Sequence, residues 1–457
     1  MGTAPRTMPP GIPTRLLEYL RTPWVVVMAA FGYRLFYIFQ HHLDDLPTAF
    51  NHMLFGYEVG RIASSVASGH GFSSPFPGWS GPTAWLGPVY PLLLAAVFKI
   101  FGAYSHSSAV AILTINCVFA ALTGLTIYLI GKELFGRTVG LYSAWAWALI
   151  PYFVAWSSWI WETSLATLLL SLAFLITLRL ERNPQLRTWI WWGFLWGFIA
   201  LTNAAALSFL AVSALWLWWR LRRTRPLSRL AFAGLVFVAV VSPWVVRNYV
   251  VFDKFVFPRS DFGEELYMGN HEGSEGLCMF WDHPVWNTYE MARFSQIGEL
   301  AYVAEKGTIA RQWIAANPGR FAVLTLKRVG FFWFDIPEQG RMAKRFGMGS
   351  RHALFFGFAL LSFWGLGVAF RERHYAAPLF AGLFLIYPLV YYITHSHPRY
   401  QHPITPEMLL LSVYLLVVAA YQPTRLPRKR LPGFQATNAT AKSAPRGESL
   451  TAKVPQR

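Results

Sequence analysis

Apolar runs of about twenty residues, each closed by a short polar break, recur along this chain and restrict its fold more than any other feature. A helix must be about that long to cross the hydrocarbon of a bilayer, and in lipid it satisfies its own backbone N–H and C=O groups. The pattern predicts an all-α polytopic membrane protein. We place about ten spanning helices near 22–40, 107–130, 138–157, 161–179, 188–204, 205–220, 229–247, 352–370, 375–394 and 404–421. No single soluble core would need so many. Composition agrees: 54% of residues are hydrophobic and only 14% charged, against roughly a quarter charged in soluble domains.

The formal net charge of +18 would point to nucleic acid in a soluble chain. Here the cations fall in the short breaks: Lys132 and Arg137; Arg179, Arg182 and Arg187; Arg220, Arg222, Arg223, Arg225 and Arg229; Arg371 and Arg373. Lys and Arg in short loops are retained on the cytoplasmic side, so these breaks set the orientation and nucleic acid is not expected as a partner. Residues 1–21, with Arg6, Arg15 and Arg21, become a cytoplasmic N-terminus ahead of an uncleaved signal anchor. Residues 422–457, rich in Pro, Lys, Arg, Thr and Ala, are expected to form a disordered basic cytoplasmic tail. Between these ends, 22–421 reads as one transmembrane domain with outer loops at about 41–106 and 248–351. Acidic residues collect on the outer side, among them Asp44, Asp45, Glu58, Glu162, Asp253, Asp261, Glu264 and Glu265. Chemistry is expected there. The stretch Ala322 to Phe334 is broken by Lys327 and Arg328, and as a span it would put Arg371 and Arg373 outside, so it reads as an interfacial helix. Gly298 to Asn317-Pro318-Gly319 reads as an outer helix. Cys117 and Cys278 supply neither a disulfide framework nor metal-ligand spacing.

In the first outer loop a lone acid stands in Phe55-Gly56-Tyr57-Glu58-Val59-Gly60-Arg61, and about thirty residues on comes Trp85-Leu86-Gly87-Pro88-Val89-Tyr90-Pro91, opening an apolar stretch that ends Phe98-Lys99-Ile100-Phe101-Gly102. Further motifs are Pro243-Trp244-Val245-Val246-Arg247-Asn248-Tyr249 and the terminal His397-Pro398-Arg399-Tyr400-Gln401-His402-Pro403. Together these resemble GT-C membrane glycosyltransferases, in particular glycosyltransferase family 39 and its RgtA/B/C/D-like branch, which includes dolichyl-phosphate-mannose-protein mannosyltransferases. The resemblance covers most of the chain and implies a GT-C fold with extracytoplasmic loop helices. It also implies transfer of a hexose or pentose from a polyprenyl-phosphate-linked donor to a hydroxyl of a glycolipid, glycan or protein. Many relatives carry Asp, often as an Asp-Glu pair, where this chain has Tyr57-Glu58.

Such a transfer needs a base on the nucleophile and cations on the departing phosphate. The resemblance makes Glu58 the base, with Asp44 and Asp45 as alternatives; a solvated loop charge paired with Arg61 is the plain reading of Glu58. Glu162, in Trp159-Ile160-Trp161-Glu162, resembles the acid of the family's second outer loop; a carboxylate at a helix N-terminus is equally accounted for by about 0.3–1 kcal/mol of dipole stabilisation. Asn203 is a substrate contact or a cap, and Tyr90 belongs to the opening motif. Arg399 corresponds to the arginine that relatives use toward lipid phosphate, with Tyr400 beside it, and Arg247 is the second phosphate candidate; an interface anchor is the alternative for both. His395, His397 and His402 match no zinc template. Arg34, within the first span, reads as snorkelling to the interface. The tryptophans, including Trp156, Trp159, Trp161, Trp191, Trp218 and Trp219, read as interfacial belts, a few of them available to stack on sugar.

The reading is therefore an inverting sugar transferase in a cell membrane, of bacterial inner-membrane type, with its site toward the periplasm or exterior. A divalent cation is left open as cofactor. The rival classes are a transporter or lipid-linked-sugar flippase, which would favour paired halves and midplane charges, and a ligase-like assembly protein with other donor chemistry.

Overall fold

The computed structural model describes residues 20, 22–41, 55–224, 226–278, 280–335 and 348–420. The N-terminus, Asp44, Asp45 and the 422–457 tail lie outside the described residues. Within the body that ends at Val417, the described residues are helical apart from loops and two isolated β-bridges. The helices are α1 Pro23–His41, α2 Glu58–Ala67, α3 Val89–Phe101, α4 His106–Leu134, α5 Arg137–Leu149, α6 Pro151–Ala155, α7 Thr163–Arg182, α8 Leu186–Ala200 and α9 Ser208–Leu221. They continue with α10 Leu227–Phe252, α11 Phe262–Gly269, α12 Thr288–Ile297, α13 Glu299–Ala316, α14 Pro318–Phe334, α15 Met348–Arg371, α16 Ala377–Ile386, α17 Leu389–Ile393 and α18 Thr405–Ala420.

A helix, or a broken pair, stands at each of the ten apolar runs. Five are long and apolar enough to cross a membrane by themselves: α4, α7, α10, the stretch His352–Arg371 of α15, and Pro398–Ala420, which contains α18. A sixth is reached if α5 is counted with the bent segment Pro151–Ser158. The protein is thus an integral membrane protein with five or six such spans among the described residues; α8, α9 and the α16–α17 pair are shorter.

Chain chemistry accounts for the break after α5. Pro151 has no N–H, so the carbonyl of Trp147, four residues earlier, loses its helical donor. The chain bends there by 61°. Arg34 supplies the missing donor: its Nη2 reaches Trp147 O at 2.9 Å and its Nη1 reaches Ala30 O at 3.2 Å. Snorkelling is therefore corrected for Arg34, which is fully buried between α1 and α5. An internal carbonyl left without a donor is what holds the guanidinium inside.

The shorter helices that lie between the long apolar ones carry much of the site. Pro88 caps α3, whose Tyr90, Leu94, Ala95 and Phe98 are buried while Leu92 and Ile100 are exposed, so the apolar stretch after the motif is a half-buried helix. Helix α13 ends at Asn317, ahead of Pro318. Helix α14 stands where the interfacial helix was placed, and its Arg328 is buried rather than solvated. Arg328 donates to Asn270 Oδ1 (3.0 Å), Tyr392 O (3.2 Å), Ile393 O (3.3 Å) and Gly269 O. One cation thereby satisfies the carbonyls that end α11 and α17, which helix termini leave without partners. Gly269 is required for this approach, since a Cβ there would lie 1.7 Å from Thr394 O.

Candidate active site

Glu58 opens α2 after a tight turn in which Gly56 (φ 71°) and Tyr57 (φ 43°) both take left-handed backbone. A Cβ on Gly56 would sit 2.1 Å from Ile160 O, so only glycine lets this turn press against the loop that precedes α7. That loop supplies Trp161 and Glu162. The Trp161 ring lies under the Arg399 guanidinium, whose Cζ is 4.2 Å from its centroid. Residues 58, 162 and 399 are thus drawn together from three distant parts of the chain, and the charge of Arg399 acts on both carboxyls.

Around this core the fold adds groups that carry no local motif. Arg259 pairs with Asp261 and with Glu265, 3.3 Å away. His283 Nδ1 accepts from Val285 N at 3.3 Å, so the neutral ring carries its proton on Nε2, which lies 3.5 Å from Glu58 Oε1. Burial pushes His283 down to about 4, which keeps that ring uncharged near neutrality. His395 turns Nδ1 toward Glu265, 3.3 Å from its carbonyl and 3.4 Å from its carboxylate, and its Nε2 accepts from the Tyr400 hydroxyl at 2.8 Å. Tyr400 also stacks on Tyr391, with centroids 4.1 Å apart and planes 16° apart. Cys278 joins the same wall, its N–H donating to Ser396 O at 3.3 Å.

The three carboxyls of this cluster are tuned apart. Burial raises Glu58 from 4.5 to about 7, with Arg399 and Arg259 opposing and Glu265 reinforcing the rise. Burial also raises Glu162, against the same two arginines. Glu265 is half-buried, but His395, Arg259 and Arg399 outweigh its desolvation and hold it below the usual carboxylate range. Glu265 therefore stays ionised while Glu58 is poised to exchange a proton near neutral pH. Among the described residues, the Arg399 side-chain donors have no hydrogen-bond partner and are available to an anion.

The remaining sequence candidates divide. Asn203 Nδ2 donates to Glu162 Oε1 at 3.4 Å while its Oδ1 accepts from Ala206 N at 3.0 Å, so it both caps a turn and borders the cluster. Glu162 makes no side-chain cap bond at the start of α7; its carboxyl turns toward Asn203. Tyr90 is buried behind the site and donates to Asn116 Oδ1 at 3.0 Å. Arg247 is not brought to Glu58: its donors go to Thr83 O (2.6 Å), Phe72 O (2.7 Å) and Asn248 Oδ1 (3.0 Å), which braces the first outer loop. The three histidines do not converge on a metal, for His397 Nδ1 takes Arg399 N and His402 stacks on Trp147 and Trp156. Trp156 is buried, not part of an interfacial belt, whereas Trp159, Trp191, Trp218 and Trp219 are exposed.

Residues 82–246 match the model of the dolichyl-phosphate-mannose-protein mannosyltransferase family. The match covers 165 of the chain's 457 residues. The family stretch holds Tyr90, Glu162 and Asn203; Glu58 and Arg399 stand outside it. No curated protein sequence matches the chain. Among solved structures, the chain is similar to the oligosaccharyltransferase AglB of Archaeoglobus fulgidus bound to an inhibitory peptide and a dolichol-phosphate, at 13% identity and a TM-score of 0.47, covering 89% of this chain and 51% of that one. The zinc and sulfate complex of the Archaeoglobus fulgidus oligosaccharyltransferase is also similar, at 13% identity and a TM-score of 0.43, covering 79% and 44%. ArnT from Cupriavidus metallidurans in the apo state is similar at 13% identity and a TM-score of 0.36, covering 88% and 77%. The chain thus spans about half the length of the oligosaccharyltransferases. As for a metal, no three His, Cys, Asp or Glu side chains among the described residues are placed to hold an ion.

Proposed function

We propose that the protein transfers a sugar from a polyprenyl-phosphate-linked donor to an acceptor hydroxyl, on the membrane face opposite its basic loops. The family match supports the donor class. The observation that carries the reading is the Glu58–Arg399 cluster: a carboxyl near neutrality beside a guanidinium with open donors.

In this mechanism Glu58 takes the proton of the acceptor hydroxyl as its oxygen attacks the anomeric carbon from the face opposite the phosphate. The bond from that carbon to the phosphate oxygen breaks, its electron pair leaves on the phosphate, and the anomeric configuration inverts. Arg399 meets the charge that grows on the leaving group, where a planar guanidinium donates to two phosphate oxygens at once. Glu265, held ionised, keeps Arg259 and His395 in place. Neutral His283 steadies Glu58 through its Nε2–H without contributing a charge that would depress the base. The loops at 41–106 and 248–351 are extracytoplasmic in this reading, and the ten apolar helices all cross or enter the bilayer.

The test is donor consumption. Purified protein in nanodiscs is given a polyprenyl-phosphate sugar and a hydroxylic acceptor, and the products are followed by mass spectrometry. Free polyprenyl phosphate and a new glycoside of inverted configuration are expected. Movement of intact donor between leaflets, with no cleavage in the presence of acceptors, would replace the transferase with the flippase reading.

A further inference from the structure

At the end of the bundle that carries the basic loops, α7 and α8 leave a groove of about 510 Å³ lined by Ile176, Arg179, Arg182, Asn183, Arg187, Thr188 and Trp191. Three guanidiniums border it. Two are held in place by Glu133: Arg179 donates to Oε1 through Nε (3.0 Å) and Nη2 (2.9 Å), and Arg182 donates to the Glu133 carbonyl (2.8 Å) and to the Tyr375 hydroxyl (2.8 Å). One carboxylate therefore offsets two cations. Arg187 is exposed and, among the described residues, has no ion-pair partner.

The start of α8 adds to this field. Its first turn holds no acidic residue and Gln185 gives no side-chain cap, so the positive end of the helix dipole stands at the groove without a counter-charge, while the Thr188 and Trp189 N–H groups are taken by the Gln185 carbonyl. Thr188 offers a hydroxyl in the same turn. Below this polar mouth, Leu186, Ile190 and Phe194 lie on one helical stripe with Trp191 beside it, each at least 38% exposed. A polar anion seat at the top of an exposed apolar stripe matches an amphiphile, not a soluble ion.

We propose that this groove binds the phosphate headgroup of an anionic glycerophospholipid from the leaflet on the basic side, with an acyl chain along Leu186, Ile190 and Phe194. Arg187 is the principal headgroup contact, Arg179 and Arg182 the fixed flanks, and Trp191 marks the depth of the interface. The inference is independent of the transfer chemistry, which lies at the other ends of these helices around Glu162.

Native mass spectrometry of the full chain from detergent tests it, with phosphatidylglycerol and phosphatidylcholine of identical acyl chains as probes. Wild type is expected to retain phosphatidylglycerol about fivefold better, the scale of one arginine at an anionic surface. Arg187→Ala should remove most of that preference and Arg187→Lys should keep most of it; neither change touches a buried contact. Equal retention of the two lipids would overturn the proposal, as would an unchanged preference in Arg187→Ala. Displacement of bound phosphatidylglycerol by millimolar inorganic phosphate would overturn it too, by making the groove a soluble-anion site.

Discussion

Glu299, at the start of α13, ties the first outer loop to the second, and its removal should be costly in a calculable way. Its carboxylate is 5% exposed and accepts from the Ala84 N–H (2.8 Å), the Ser260 hydroxyl (2.7 Å) and the Thr83 hydroxyl. Glu299→Ala leaves a buried backbone N–H with no acceptor, at about 1–3 kcal/mol, and two hydroxyls that lose about 1 kcal/mol each because they can turn elsewhere. Against this, the variant recovers the desolvation cost that raises the Glu299 pKa. The net loss should be about 2–4 kcal/mol, or roughly 2–4 °C in a thermal unfolding scan of the protein in detergent. Glu299→Gln keeps an acceptor for Ala84 and should lose under about 1.5 kcal/mol. Because Ser260 adjoins Arg259, the alanine variant should also lose transfer activity that the glutamine variant retains. An alanine variant that melts within a degree of wild type, or a glutamine variant that melts below it, would refute the idea that three donors depend on this carboxylate.

Other outcomes follow from single contacts. Arg399→Ala should lower kcat about 10²–10³-fold, the scale of one lost donor to a developing oxyanion, with Arg399→Lys intermediate; steady-state kinetics on the lipid donor measures this. Arg34→Met should lower stability by orphaning Trp147 O, and the loss should shrink by more than about 0.5 kcal/mol when Pro151→Ala restores an N–H, a coupling that a double-mutant cycle reads directly. Gly56→Ala should fold, with a melting point lower by a few degrees and transfer strongly reduced, because the turn must retreat from Ile160 and carry Glu58 with it.

The periodic apolar runs were enough to locate the helices, because period and length are local properties of the residues. Glu58, Glu162, Arg399 and Tyr400 could be named because each sits in a short stretch with neighbours of recognisable type. Glu265, His283, His395 and Arg259 could not be assigned from their own surroundings; His395 meets Glu265 across 130 residues and His283 meets Glu58 from a still more distant part of the chain. The acidic residues of the two long polar stretches were visible as a group, without a sign of which one faced His395. Arg247 and Arg34 show the opposite difficulty. Each carries a cation in a position that invites a functional reading, and each is occupied with backbone carbonyls that only the folded chain leaves without donors. The break at Pro151 was the one available signal, since a proline in an apolar run announces an orphaned carbonyl four residues before it.

The most direct test of the central claim is the pH dependence of sugar transfer by wild type and by Glu58→Gln. Burial holds the folded Glu58 pKa at about 7, above its ordinary 4.5, so the base form is scarce in acid and grows as pH rises. Wild-type kcat/KM should climb about tenfold per pH unit below neutrality and level off above it. Glu58→Gln should fall by about 10²–10⁴-fold and lose that rise while its unfolding temperature stays near wild type. A glutamine variant that turns over near the wild-type rate, or a wild-type profile flat from pH 5 to 8, would contradict the assignment of this carboxyl as the base.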